Sequence, residues 1–154
     1  MIRLVLFTTV KFVHILLAIT AVGFNASYAI WTQRAARSPE HLGFALRGVK
    51  FMDDRVANPA YGLLLLTGLT MVFVGHLSLT TFWIGAALVL WLVVVMLGLL
   101  FYTPALRRQI QALDTHGPES AEYRALSNRS AMAGIGTSIV VLAIIVLMVF
   151  KPGG

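Results

Sequence analysis

The chain contains no cysteine, six acidic residues and five prolines in 154 positions. Without thiols it can form no disulfide, no thiolate metal site and no iron–sulfur cluster. All six acidic residues fall between the long apolar runs. No pair of carboxylates is therefore expected inside a membrane, which argues against a carboxylate-driven proton pump or cation transporter. A phosphate-binding glycine loop, a metalloprotease helix motif and a recognisable Ser–His–acid constellation are also missing. Charged residues make up 12% of the chain and hydrophobic residues 58%, whereas a soluble domain carries roughly 25% charged residues. That balance describes an integral membrane protein, one domain over residues 1–154.

Twelve basic residues outnumber the acidic ones, for a formal charge of +6. In a soluble chain this would point to nucleic acid, but the distribution points to lipid. Arg34, Arg37, Arg47, Lys50 and Arg55 lie between the first and second apolar runs, and Arg107, Arg108, Arg124 and Arg129 between the third and fourth. Arg3, Lys11 and Lys151 alone serve the other side. This is the positive-inside pattern, and a basic cytoplasmic face suits anionic headgroups. The expected fold is an all-α four-helix transmembrane bundle in a bacterial inner membrane, with both termini outside. Its expected partners are the bilayer, a further membrane protein or a second copy.

The spans are predicted at residues 9–32, 58–77, 81–103 and 132–150, each about long enough to cross a hydrocarbon core of roughly 30 Å. The first run reaches Trp31, about twice the roughly 7–15 residues of a signal-peptide core, and reads as a retained helix. Asn58 is placed to cap the second helix, with Pro59 at its first position. The short stretch from Leu77 to Thr80 makes helices two and three antiparallel neighbours. Trp83 suits the outer interface, and Trp31 and Tyr102 the inner one. Leu42, Ala45, Leu46, Val49 and Met52 form an apolar stripe, predicting a short amphipathic helix lying at the headgroups. Leu106, Ile110 and Leu113 form another, read as an extension of helix three beyond Pro104. Gly117-Pro118 then ends that helix. Ser130, Gly134 and Ser138 allow close approach along helix four.

Functional candidates lie on one face of the first span. Lys11, His14, Ala18, Ala21, Asn25, Tyr28 and Thr32 follow alternating steps of three and four, the seam of a helix facing a partner. An ionisable group there is a functional-site hypothesis, because charge in hydrocarbon costs several kcal/mol. His14 is the strongest candidate, as a ligand for haem iron or copper or as a proton relay; the alternative is a hydrogen bond to a neighbouring helix. His76, at the outer end of the second span, is its candidate partner in a metal pair. The match worsens if the first helix starts near Leu4, which would set His14 deeper. Lys11, one turn from His14, is read first as a snorkelling anchor and second as a contact for a haem propionate. Asn25 and Tyr28 are expected to hydrogen-bond between helices. His41 and His116 read as solvated loop residues, and Asp53-Asp54-Arg55 as a surface charge cluster.

Three stretches carry a family resemblance: Lys11-Phe12-Val13-His14-Ile15-Leu16, then Asp54 with Asn58-Pro59-Ala60 and Thr67-Gly68, then Arg107-Arg108-Gln109-Ile110. With them the chain resembles an uncharacterised bacterial family of four-helix integral membrane proteins, which implies the fold and little of the function. More distantly, His14 and its surroundings resemble the first helix of haem-binding membrane protoporphyrinogen oxidases and of copper-resistance membrane domains. That likeness implies haem binding at His14. With the histidine on the packed seam, the leading expectation is a small b-type haem membrane protein, His14 as axial ligand and His76 as second ligand, serving electron transfer or porphyrin oxidation. The chain departs from it in having Ala21-Val22-Gly23-Phe24 and no lysine in its third span. The competing expectations are a non-catalytic membrane subunit or assembly factor, and, behind it, a small-solute transporter.

Overall fold

The computed structural model describes residues 1–153. Four helices are long and apolar enough to cross a membrane: α1 (Ile2–Ala35), α2 (Pro39–Gly75), α3 (Phe82–His116) and α4 (Ala121–Phe150). At 1.5 Å per residue even α4 is about 45 Å long and α2 about 55 Å, well beyond a core of roughly 30 Å. The apolar windows bury at most 17% of their residues within the protein. The remaining side chains there face outward, as they can where the solvent is lipid.

The extra length lies at the end that carries the arginines. The stripe of Leu42, Leu46 and Val49 is buried against neighbouring helices. It belongs to the first half of α2, which runs on into the span without a break and projects as a stalk. Leu46 and Leu106 are the largest fully buried side chains of the protein. They sit in one cluster with Leu42, Val49, Ala112 and Tyr123. In water, burying such a stripe against a neighbouring helix is favourable by about 25 cal/mol per Å² of apolar surface. The extension of helix three beyond Pro104 is as expected, reaching His116 before Gly117 turns the chain at φ 77°. Ser120 then caps α4, its Oγ accepting from the Tyr123 N–H at 3.2 Å.

Asn58 does not cap a helix. Pro59 and Pro104 both lie inside continuous helices, and each is preceded by a widened π turn, Asp53–Ala57 in α2 and Leu97–Tyr102 in α3. A proline cannot donate to the carbonyl four residues back, and its ring pushes against that carbonyl. Widening absorbs the conflict without breaking the rod. Asn58 N–H bonds to Asp53 O and Thr103 N–H to Gly98 O, each five residues back. The Asn58 side chain is thereby released for another partner.

Backbones approach most closely between α1 and α2 and between α3 and α4. Within the spans, helices α2 and α3 lie farther apart and are bridged by side chains, among them Trp91, whose indole Nε1–H donates to Tyr61 O at 3.2 Å. Along α4, Ser130 is buried and Gly134 lies against the Tyr102 ring, while Ser138 is exposed. The terminal end is tied by Arg3 Nε donating to Val74 O at 2.8 Å and by Lys151 over the Trp83 ring at 5.5 Å.

Candidate functional site

Two polar centres join the helices, one within the membrane and one where the stalk begins. In the first, His14 Nδ1 lies 2.8 Å from Thr67 Oγ1. The Thr67 hydroxyl also reaches its own Leu63 O at 2.8 Å. A hydroxyl has one proton, and in an apolar helix it goes to the backbone carbonyl. With the hydroxyl proton on the carbonyl, the tautomer that fits is the one protonated on Nδ1, and Nε2 has no hydrogen bond of its own. The ring sits over Gly68, where a Cβ would meet His14 Cε1 at 3.4 Å. Thr67-Gly68 is thus a seat for His14, one residue supplying the acceptor and the next supplying the room.

This geometry separates the residues that the sequence paired. His76 lies nine residues beyond Thr67, about 13 Å farther along the helix axis. It ends α2 as an exposed left-handed cap at φ 50°. α1 begins at Ile2, ahead of Leu4, and His14 lies about 18 Å along the helix from its start. Two axial ligands must meet at one iron, and His14 and His76 do not. Lys11 is exposed, one turn nearer the terminal end than His14. Among the described residues no three His, Asp or Glu side chains gather around a common point. His41 and His116 are exposed and pair with Glu40 and Glu122, each at 3.3 Å.

The second centre was not legible as a site. Asp53 is no surface charge: it is 4% exposed, beneath the start of the apolar span. Its Oδ2 accepts from Thr103 Oγ1 at 3.0 Å and from Asn58 Nδ2 at 3.4 Å. Both donors are the residues just before Pro59 and Pro104. The two π turns thus place Asn58 and Thr103 on one carboxylate. Burial raises the Asp53 pKa above the ordinary carboxylate value, and the Thr103 hydroxyl offsets part of that. Asp54, one position on, is exposed and is bonded by Lys50 instead.

Three tyrosines complete the second centre. Tyr28 stacks on Tyr102, centroids 6.5 Å apart and planes within 5°. Asn25 Nδ2 donates to Tyr61 Oη, the interhelical bond its seam position predicts. Tyr28 makes no such bond; its hydroxyl is buried without a hydrogen-bond partner. The seam placed Tyr28 against a neighbour correctly and misread what holds it, which is ring stacking. A third network, nearer the stalk, joins Gln109 Nε2 to Tyr123 Oη at 3.3 Å and Ser130 Oγ to Gln109 Oε1 at 2.6 Å. It braces α3 against α4.

Residues 8–152 match the family described as predicted integral membrane protein (DUF2269). The chain belongs to that family. The match runs from the start of the seam to beyond the last helix, so it covers both polar centres, the stalk and all four spans. No curated protein and no solved structure matches the chain. Membership in the DUF2269 family thus agrees with the four apolar helices and assigns no chemistry to either centre.

Proposed function

We propose that this DUF2269 protein is a non-catalytic subunit or assembly factor of a larger complex in a bacterial inner membrane, its arginine-rich stalk in the cytoplasm. One observation carries the reading. Phe44 is 82% exposed on α2, fourteen residues and so about 20 Å along the helix before Asn58, where the apolar span is predicted to begin. Lipid covers exposed aromatics within the spans, but not one at that height. Phe51 is exposed two turns on, with exposed Gly48 between them, making an aromatic ridge with a central notch on a rigid helix. Such a surface supplies the anchor of a protein interface. Protein extracted from its own membranes in mild detergent is expected to cross-link through the stalk to a second chain, another protein or another copy. Phe44→Glu should lose that product while keeping the wild-type melting temperature, because an exposed side chain contributes little to folding. A wild type that stays a lone chain at every cross-linker level rejects the reading.

A second reading rests on the free Nε2 of His14. A neutral imidazole whose Nδ1–H is held by an acceptor is the form that ligates haem iron. The residues present fit one axial ligand and do not fit the His14–His76 pair. Haem b bound there would supply electron-transfer chemistry, with Thr67 orienting the ring. A reduced-minus-oxidised spectrum of protein expressed with ample haem should then show a Soret difference that His14→Ala removes and His76→Ala keeps. A flat spectrum ends this reading and leaves the subunit reading standing.

A further inference from the structure

Each of the six acidic residues already has its partners. Asp53 is buried on Thr103 and Asn58. Glu40 and Glu122 pair with His41 and His116, Asp54 with Lys50, Asp114 with Arg47, and Glu119 with Arg124. Among the described residues, Arg34, Arg37, Arg55, Arg107, Arg108 and Arg129 are exposed and form no salt bridge. The division follows distance from the membrane. Each of these six arginines lies within five positions of a predicted span end, about 8 Å at most along a helix. Arg47, Lys50 and Arg124, which do have carboxylates, lie eight or more positions away. A headgroup layer adds roughly 5–8 Å to each side of the hydrocarbon. On those boundaries the uncompensated arginines fall within that layer and the compensated basic residues beyond it.

Two of the six stand together. Ser130 Oγ donates to Gln109 Oε1 at 2.6 Å, so these two residues face each other across α3 and α4. Arg108 and Arg129 each stand one position earlier. One step back turns a helix by about 100°, and because α3 and α4 run antiparallel both turns lead to the same side. Thr103 and Leu106, which meet α2, lie on the other side of α3. Arg108 and Arg129 therefore project from the outer face of the α3–α4 pair. Four and seven positions on from Arg129, Ala133 and Gly136 continue that face of α4 into the membrane. A Cβ on Gly136 would meet nothing within 4 Å. Two like charges, which repel one another, thus sit at the head of an open strip of small residues.

We infer that Arg108 and Arg129 clamp the phosphate of an anionic phospholipid, one acyl chain of which lies along Ala133 and Gly136. A guanidinium presents its N–H donors as a fork that matches phosphate oxygens. A zwitterionic headgroup brings its own cation, whereas an anionic one leaves its charge for the protein to balance. The chain supplies no carboxylate for these arginines, so the compensating charge comes from the lipid. The site lies on α3 and α4, away from the Phe44 ridge on α2, and it requires neither the partner nor the haem considered above.

Phosphatidylglycerol and phosphatidylcholine are the probes. Full-length protein in a neutral detergent is given both lipids in equal amount, and the bound lipid is counted by native mass spectrometry. Wild type should prefer phosphatidylglycerol, and Arg108→Gln with Arg129→Gln should cut that preference by about tenfold or more. Arg47→Gln with Arg124→Gln removes the same charge from the stalk and should leave the preference within about twofold. Both members of the first pair are exposed, so that variant should melt with the wild type when lipid is absent. Glycerol phosphate, which has the phosphate without acyl chains, should not displace the lipid at equal concentration. Displacement would mean a soluble phosphate ligand and overturn the proposal. Wild type retaining both lipids equally overturns it, and so does an equal loss in the two double variants, the behaviour of diffuse charge. A stalk cross-link lost in Arg108→Gln with Arg129→Gln, where wild type shows no lipid preference, gives the arginines to a partner's acids and overturns it too.

Discussion

Leu46→Ala should destabilise the protein by about 2–5 kcal/mol, with the loss confined at first to the arginine-rich stalk. Leu46 is fully buried, among Leu42, Val49 and Leu106. It lies twelve residues before Asn58, about 18 Å along the helix from where the apolar span is predicted to begin. Its surroundings explain the size of the effect. Inside the bilayer a leucine exchanges protein neighbours for lipid tails at little cost, because no hydrophobic driving force separates the two. In the stalk the same exchange is with water. The measurement is denaturant unfolding in nanodiscs, followed by limited proteolysis near Gly117-Pro118. Cleavage should rise in the variant before the spans are lost. Leu46→Met keeps the volume and should cost less than about 1.5 kcal/mol. Equal stability of Leu46→Ala and wild type would mean that the stalk is not a packed element.

The parts of this architecture that depend on hydropathy and turn chemistry were readable from the residues. The four spans, the extension past Pro104 and the break at Gly117-Pro118 all follow from local composition. The seam on α1 was readable as well, because a period of three and four residues is a property of one helix. His14 and Asn25 both face α2, bonding Thr67 and Tyr61. What each meets there depends on the register of α2 against α1, which no pattern within α1 contains. The separation of His14 from His76 belongs to that class.

Asp53 failed for a different reason. Asp-Asp-Arg followed by Asn-Pro has the composition of a loop and a helix start, and an aspartate in such a run is ordinarily solvated. The two π turns overrode that expectation by carrying α2 and α3 straight through their prolines. One signal was present: Asn58-Pro59-Ala60 and Thr103-Pro104-Ala105 share a polar-Pro-Ala pattern in helices that run antiparallel. Prolines inside long apolar helices, each preceded by a hydrogen-bonding residue, mark places where polar backbone and side chains gather.

Ala21→Leu is expected to be the most damaging single change within the membrane, at about 1–3 kcal/mol and at the upper end of that range. Ala21 is fully buried although the helix around it is mostly lipid-facing. It sits on the seam between two bolts: His14 to Thr67 on one side and Asn25 to Tyr61 on the other. Small residues at such a point let two backbones close, and association there rests on packing and hydrogen bonds because lipid supplies no hydrophobic push. Three added heavy atoms force α1 off α2 at the midpoint. Both bolts are then stretched together, so the cost exceeds that of losing either one. Ile19→Leu changes a side chain that is 64% exposed to lipid and should leave stability unchanged. The comparison is made by SDS or heat unfolding of the two variants in bicelles. The double variant Ala21→Leu with Thr67→Val supplies the decisive number. If Ala21→Leu already breaks the His14 bolt, adding Thr67→Val costs almost nothing further. Full additivity would show that the bolts hold independently of the alanine, and that α1 and α2 are joined by their polar groups rather than by the closeness of their backbones.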